Sequence, residues 1–305
     1  MGVILKRTLQ RTLGLSAVII SVLAGILGGF VLARSAEIMN VPAFGYYLNQ
    51  RLIEQHTTVF FLICGVLLMV IVSAVSTGLI AGEVHEGTFR MLVAKPNSRM
   101  SILLGKILGM LIGALMLMVM SLSAMYLMNY VCGSYDGNIF GALLSYFPGY
   151  LLYGLIVTLF FSSLAVLLSC VAKKRIIALL PMLLVIILVL VLPLVVRLVL
   201  SIRGSFSLDA LGYVDLNYHF GSIFRWCMEP FGGINGTAGQ LEIPTMLMNI
   251  FRQTPIDPDL AHSPNSGVIT TVNNMIPAGI VLTVYLALTV INYTASFAII
   301  RRKDV

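Results

Sequence analysis

Side chains that could carry out chemistry are few in this sequence, and their spacing suits none of the common reactions. His85 and Glu86 adjoin, but no histidine follows at the spacing that lets two imidazoles on one helix face hold zinc. No G-x-x-x-x-G-K followed by Ser or Thr occurs, so no loop is built to cradle a nucleotide's phosphates. The four cysteines, Cys64, Cys132, Cys170 and Cys227, form no C-x-x-C pair and no cluster with histidine. A Cys132–Cys227 disulfide stays open, with two unpaired buried thiols the better-supported reading. The longest apolar runs hold hydroxyls and amides (Ser73, Ser76, Thr77, Ser121, Ser123, Thr158, Ser162, Ser163 and Asn292) and no mid-run carboxylate or histidine of the kind that relays protons. Such groups most often bond a neighbouring helix or their own backbone. The chain reads as the passive part of a machine whose energy comes from elsewhere.

One polar stretch stands out, Gly82 to Lys106, between two very apolar runs. It carries Arg90, Lys95, Arg99 and Lys106 against Glu83 and Glu86. Thr88 is a plausible helix N-cap, Phe89, Leu92 and Val93 recur on one helical face, and Pro96 ends the turn. A plain connector needs only a few polar residues, so this stretch is expected to be a docking surface.

The rest of the composition says what this stretch is attached to. The chain is 59% hydrophobic and only 10% charged, which excludes a soluble globular fold. A bilayer-crossing helix needs about 20 apolar residues. Candidates lie at 15–33, 58–81, 102–128, 146–171, 176–196 and 276–299. With six crossings, the termini and the stretches 82–106 and 172–175 share one side, which collects thirteen basic and three acidic residues. The net charge of +7 is therefore a topology signal rather than a nucleic-acid patch, and both termini are expected to be cytoplasmic.

Residues 3–13 place Leu5, Leu9 and Leu13 on one face and Lys6, Arg7, Gln10 and Arg11 on the other, as in a helix lying in the membrane interface. A cleaved leader fits less well, because the following apolar run exceeds a signal core of roughly 7–15 residues. Gly105, Gly109 and Gly113 make two successive G-x-x-x-G steps, a face that lets another helix approach closely, within one subunit or between two. Residues 34–57 and 129–145 read as exterior connections, and Lys173, Lys174 and Arg175 as a tight inner turn that anchors the topology. Pro181 and Pro193 should bend or loosen the fifth span. Residues 202–275 are acidic and turn-rich, with aromatic half-apolar pieces at 218–228 and 244–255, and look like a cap rather than a separate domain. The lone Trp226 is expected at the outer interface.

The pattern E-x-x-x-G-T-x-x-x-L-x-x-x-P-x-S-R, carried by Glu83, Gly87, Thr88, Leu92, Pro96, Ser98 and Arg99, resembles the first cytoplasmic loop of permease subunits in the type-2 (ABC-2) family of ATP-binding-cassette exporters. Lys106 fits as well. The resemblance implies an all-α integral membrane protein with six transmembrane helices, an N-terminal interfacial elbow helix (1–14) and short re-entrant or exterior helices before the last span. It implies one permease domain over 1–305, with a cytoplasmic coupling loop at 82–100 and an extracytoplasmic segment at 202–275. Glu83, Glu86, Gly87, Thr88, Phe89, Arg90, Leu92, Pro96 and Arg99 would dock a separate ATPase. That partner would bind ATP and magnesium, so no cofactor, metal or catalytic residue is expected in this chain. Two ATPase copies and a second permease, identical or related, would complete a plasma-membrane exporter. One alternative is a membrane motor that drives an exterior protein, for instance in metalloenzyme maturation. Another is a channel or carrier that needs no ATPase. The transported substrate is not legible.

Overall fold

The computed structural model describes residues 2–38, 44–87, 99–133, 137–172, 174–202, 213–237, 239–254 and 269–302. Helix α1 (Gly2–Thr12) buries Ile4, Thr8 and Thr12 and leaves its basic face exposed. Helix α2 (Leu15–Ile38) is the first membrane span. Helix α3 is continuous over 44–85 and combines three α-helical pieces (Phe44–Thr58, Met69–Thr77 and Glu83–His85) with two wider π-helical ones, Val59–Leu68 and Gly78–Gly82. Helix α4 (Arg99–Cys132) returns, and α5 (Gly137–Ser145) and α6 (Phe147–Val171) form the fourth span. The fifth comprises α7 (Arg175–Leu190) and α8 (Leu192–Ile202); α11 (Ala278–Arg302) is the sixth. Among the described residues six helices are thus long and apolar enough to cross a bilayer, as the sequence predicts. The protein is an all-α, multi-pass membrane protein, with one small antiparallel ribbon, β1 (Phe251–Thr254) and β2 (Ile269–Val272), before the last span.

Close contact between α2 and α4 has a local cause. A Cβ on Gly25 or Gly29 would collide with the carbonyls of Ser121 and Met125, so these glycines let the two backbones meet. The core lies on α3 and α6, where Phe60, Tyr153 and Phe161 are buried together with Phe220 and Phe224 of α9 (Leu216–Met228). Helix α9 enters the bundle at the end away from residue 87. Its N-cap, Asp215, accepts from the Asn217 and Tyr218 amides and also pairs with Arg197 of α8. Arg197 further donates to Asn217 Oδ1 at 2.9 Å and to the Met246 carbonyl at 3.0 Å. A buried guanidinium so fully bonded ties α8 to both α9 and α10 (Glu242–Met248). Helix α9 occupies the piece expected at 218–228, whereas of 244–255 only the part to Met248 is helical and Phe251–Thr254 forms β1 instead.

Three expectations change, and one, the loosening of the fifth span at its prolines, is met near Pro193 only. Residues 44–58 are not a connecting loop but extend the second span by four turns, because the polar groups there bond one another. Arg51 donates to the Leu32 carbonyl at 3.0 Å and to Glu54 at 2.8 Å, so a segment that reads as too polar for the bundle is buried in it. Likewise 129–145 holds the end of α4 and all of α5 rather than a short link. Pro181 sits within α7, whereas the helix breaks at Val191, just before Pro193. Finally, Cys227 is buried, its thiol pushed up to about 12 by burial, but Cys132 is exposed; neither is in a disulfide.

Candidate functional site

Glu83 lies in the last turn of α3, where a regular helix would expose it on the way into the docking stretch. Instead it is only 7% exposed. Lys106, on the first turns of α4 and equally enclosed, places Nζ 2.5 Å from Glu83 Oε2 and donates to the Leu79 carbonyl at 2.6 Å. Arg11 of α1 brings a third charge, Nη1 at 3.9 Å from the other carboxylate oxygen. A lysine at this depth is tolerable only because its ammonium meets both a carboxylate and a carbonyl. Arg7, Thr8, Leu79 and Glu86 join these three around a cavity of about 270 Å³ that opens at this end of the bundle.

The glycines of α4 explain why α1 can be there. A Cβ on Gly109 would fall 2.8 Å from the Leu5 carbonyl, and one on Gly113 2.6 Å from a Thr12 methyl. Gly105 is buried in the same helix. The small-residue face therefore receives the N-terminal helix of the same chain, with which it brings Arg11 to Glu83. Gly87 ends α3 at φ +70°, a conformation that a side chain would strain, and its N–H bonds the Val84 carbonyl at 3.2 Å. Glu86 is exposed on the cavity rim. Arg99 opens α4. Thr88, Phe89, Arg90, Leu92 and Pro96 lie outside the described residues.

Two groups escape sequence reasoning. At the opposite end of α3 the Gln55 side-chain amide lies 3.0 Å from the Tyr126 and Tyr150 hydroxyls and from the Leu143 carbonyl, and Tyr150 bonds His56 Nδ1 at 2.8 Å. All four side chains are buried. Only the high hydropathy of the flanking segments could have hinted that 44–58 belongs to a span. The second is Ser169 on α6, whose hydroxyl accepts from the Ala81 amide at 2.8 Å and donates to the Thr77 carbonyl at 2.9 Å. One serine among several in an apolar helix gives no signal of this kind. Among the described residues no group of His, Cys, Asp and Glu is placed to hold a metal ion.

A buried charge cluster, Glu83 and Lys106 with Arg11 beside them, joins the ends of three helices at the point where the chain leaves for residues 88–98. No curated protein matches the chain. A family profile described as an ABC-2 family transporter protein matches residues 8–304, so the chain belongs to the ABC-2 transporter family, as a membrane-embedded permease subunit that works with an ABC ATPase subunit.

Proposed function

We propose that this chain is the permease of an ATP-driven exporter in the cytoplasmic membrane, with both termini and residues 82–100 on the cytoplasmic side. Two permeases, identical or related, pair with two ATPase subunits, which hold the ATP and magnesium. Residues 82–100 dock the ATPase through Phe89 and Leu92, with Arg90 and Arg99 adding orientation and salt sensitivity. Residues 1–14 serve as an interfacial elbow and 202–275 cap the bundle outside.

The observation that carries this reading is the enclosed Glu83–Lys106 pair with Arg11 beside it. Motion of the docking stretch would be passed at once to α1, α3 and α4, because separating the enclosed Glu83 and Lys106 charges is costly. A loop that merely linked two spans would need no such tie. Phe89→Asp tests it. The variant should insert and fold as wild type but lose the co-expressed ATPase in a pull-down and lose stimulated hydrolysis in proteoliposomes. Retention of both the partner and normal hydrolysis by Phe89→Asp would reduce the stretch to a connector.

A further inference from the structure

The second π-helical piece, Gly78–Gly82, lies between the far part of α3 and Glu83. In a regular α-helix the Thr77 carbonyl would bond the Ala81 amide directly, four residues on. Here both groups bond the Ser169 hydroxyl instead, which lies between them as a bridge from α6. Thr77, Ala81 and Ser169 are all fully buried, so no water competes for these bonds. Two flanking carbonyls are met in the same way. Gly78 N–H reaches the Val75 carbonyl rather than that of Ala74, and Arg175 Nη2 of α7 donates to Ala74 at 3.0 Å. Glu83 N–H reaches Ile80 rather than Leu79, and Lys106 takes the Leu79 carbonyl. Three neighbouring helices thus supply side-chain partners along the altered register of α3.

We propose that Ser169, assisted by Arg175, is a positioning residue for coupling: its hydroxyl holds α3 in the π register, and its withdrawal lets residues beyond Gly78 turn as one piece. The inference rests on the permease reading above. Removing one residue's worth of widening rotates everything past it by about 100° and shifts it by about 1.5 Å. That turn would carry Glu83 and the docking stretch relative to the core. The exchange leaves no polar group stranded. Thr77 and Ala81 can bond each other, and the freed hydroxyl can turn to a carbonyl of its own helix, as Ser162 does to Leu159 and Ser163 to Phe160. Gly78 and Gly82 bound the piece, and Ala81 within it meets the small side chains of Ala172 and Ala178, with Leu168 packed against them.

Amide hydrogen exchange over 74–87 tests this, on nanodisc-embedded permease alone and assembled with its co-expressed ATPase, with and without ATP, magnesium and vanadate. In the wild type, trapping the nucleotide should speed exchange at Ala81. Ser169→Ala should exchange about tenfold faster there without nucleotide, because a segment that the hydroxyl no longer pins opens the Ala81 bond each time its register changes, and should show no further response to it. Ser169→Thr, which keeps a hydroxyl, should restore the wild-type pattern. Arg175→Gln alters an exposed side chain, so it should fold even if the serine variants do not, and should shift the same segment in the same direction. Equal exchange in wild type and Ser169→Ala would overturn the proposal. So would fast exchange that still responds to nucleotide as the wild type does, or an Arg175→Gln protein with unchanged exchange. A wild-type permease that holds no ATPase would defeat the permease reading instead. The wild-type and Ser169→Ala comparison on the permease alone would still decide the register claim.

Discussion

The two ends of α3 solve one problem, polar groups enclosed in an apolar bundle, with different materials. At the end near residue 87 the groups are charged: Glu83, Lys106 and Arg11, set around an open cavity. At the far end, beside the Arg51–Glu54 pair, the larger group is made of uncharged side chains, Gln55, Tyr126 and Tyr150, with His56, packed among the rings of Tyr146 and Phe224. Charged groups give long-range, strong ties that hold only while the partners stay together. Neutral amide and hydroxyl bonds give short-range ties that tolerate re-pairing. An end that must follow a moving partner suits the first kind, and an end that must keep its shape suits the second.

Unpairing the charged end should have the largest effect. Lys106→Met leaves the Glu83 carboxylate enclosed without its main partner and should cost about 3–5 kcal/mol, read as thermal unfolding in detergent. The double change Glu83→Gln with Lys106→Met removes both charges and should recover most of that loss. If the single and double variants unfold alike, the charges are not what joins these helices. A smaller loss, about 1–3 kcal/mol, is expected from Gly109→Leu, which forces α1 away from α4. Limited proteolysis should then cut within 1–14; a protected N-terminus would show that α1 is held by other contacts.

The neutral end should yield less. Gln55→Leu removes one hub, but Tyr126 keeps the Leu143 carbonyl and Tyr150 keeps His56, so about 1 kcal/mol is expected by the same unfolding measurement. A cost matching that of Lys106→Met would erase the distinction between the two ends. The smallest effect is chemical. An impermeant maleimide should label Cys132 and leave Cys227 unmodified at neutral pH, since burial both shields that thiol and keeps it protonated. Rapid labelling of Cys227 would mean that α9 leaves the bundle readily, and that the far end is the looser of the two.

Much of this protein could be read from its residues in order. Apolar runs of the right length fixed six crossings, since no soluble core needs so many. The alternation of leucine with basic residues in 3–13 marked an amphipathic helix, and the glycine steps of α4 marked a close contact. The tertiary structure decided which helix made that contact, because spacing shows a face and never its occupant. It also decided that Gln50, Arg51, Gln55 and His56 are buried. Hydropathy adds residues one at a time, whereas the cost of enclosing Arg51 or Gln55 depends on partners at Leu32, Leu143 and Tyr150 that only folding brings near. Lys106 and Arg11 looked like interface charges and proved to be joined through Glu83. Ser169 was one serine among many until α6 set its hydroxyl between two backbone groups of α3. Composition and period are properties of the chain, but a hydrogen bond across helices belongs to a distance, and distances exist only in the folded protein.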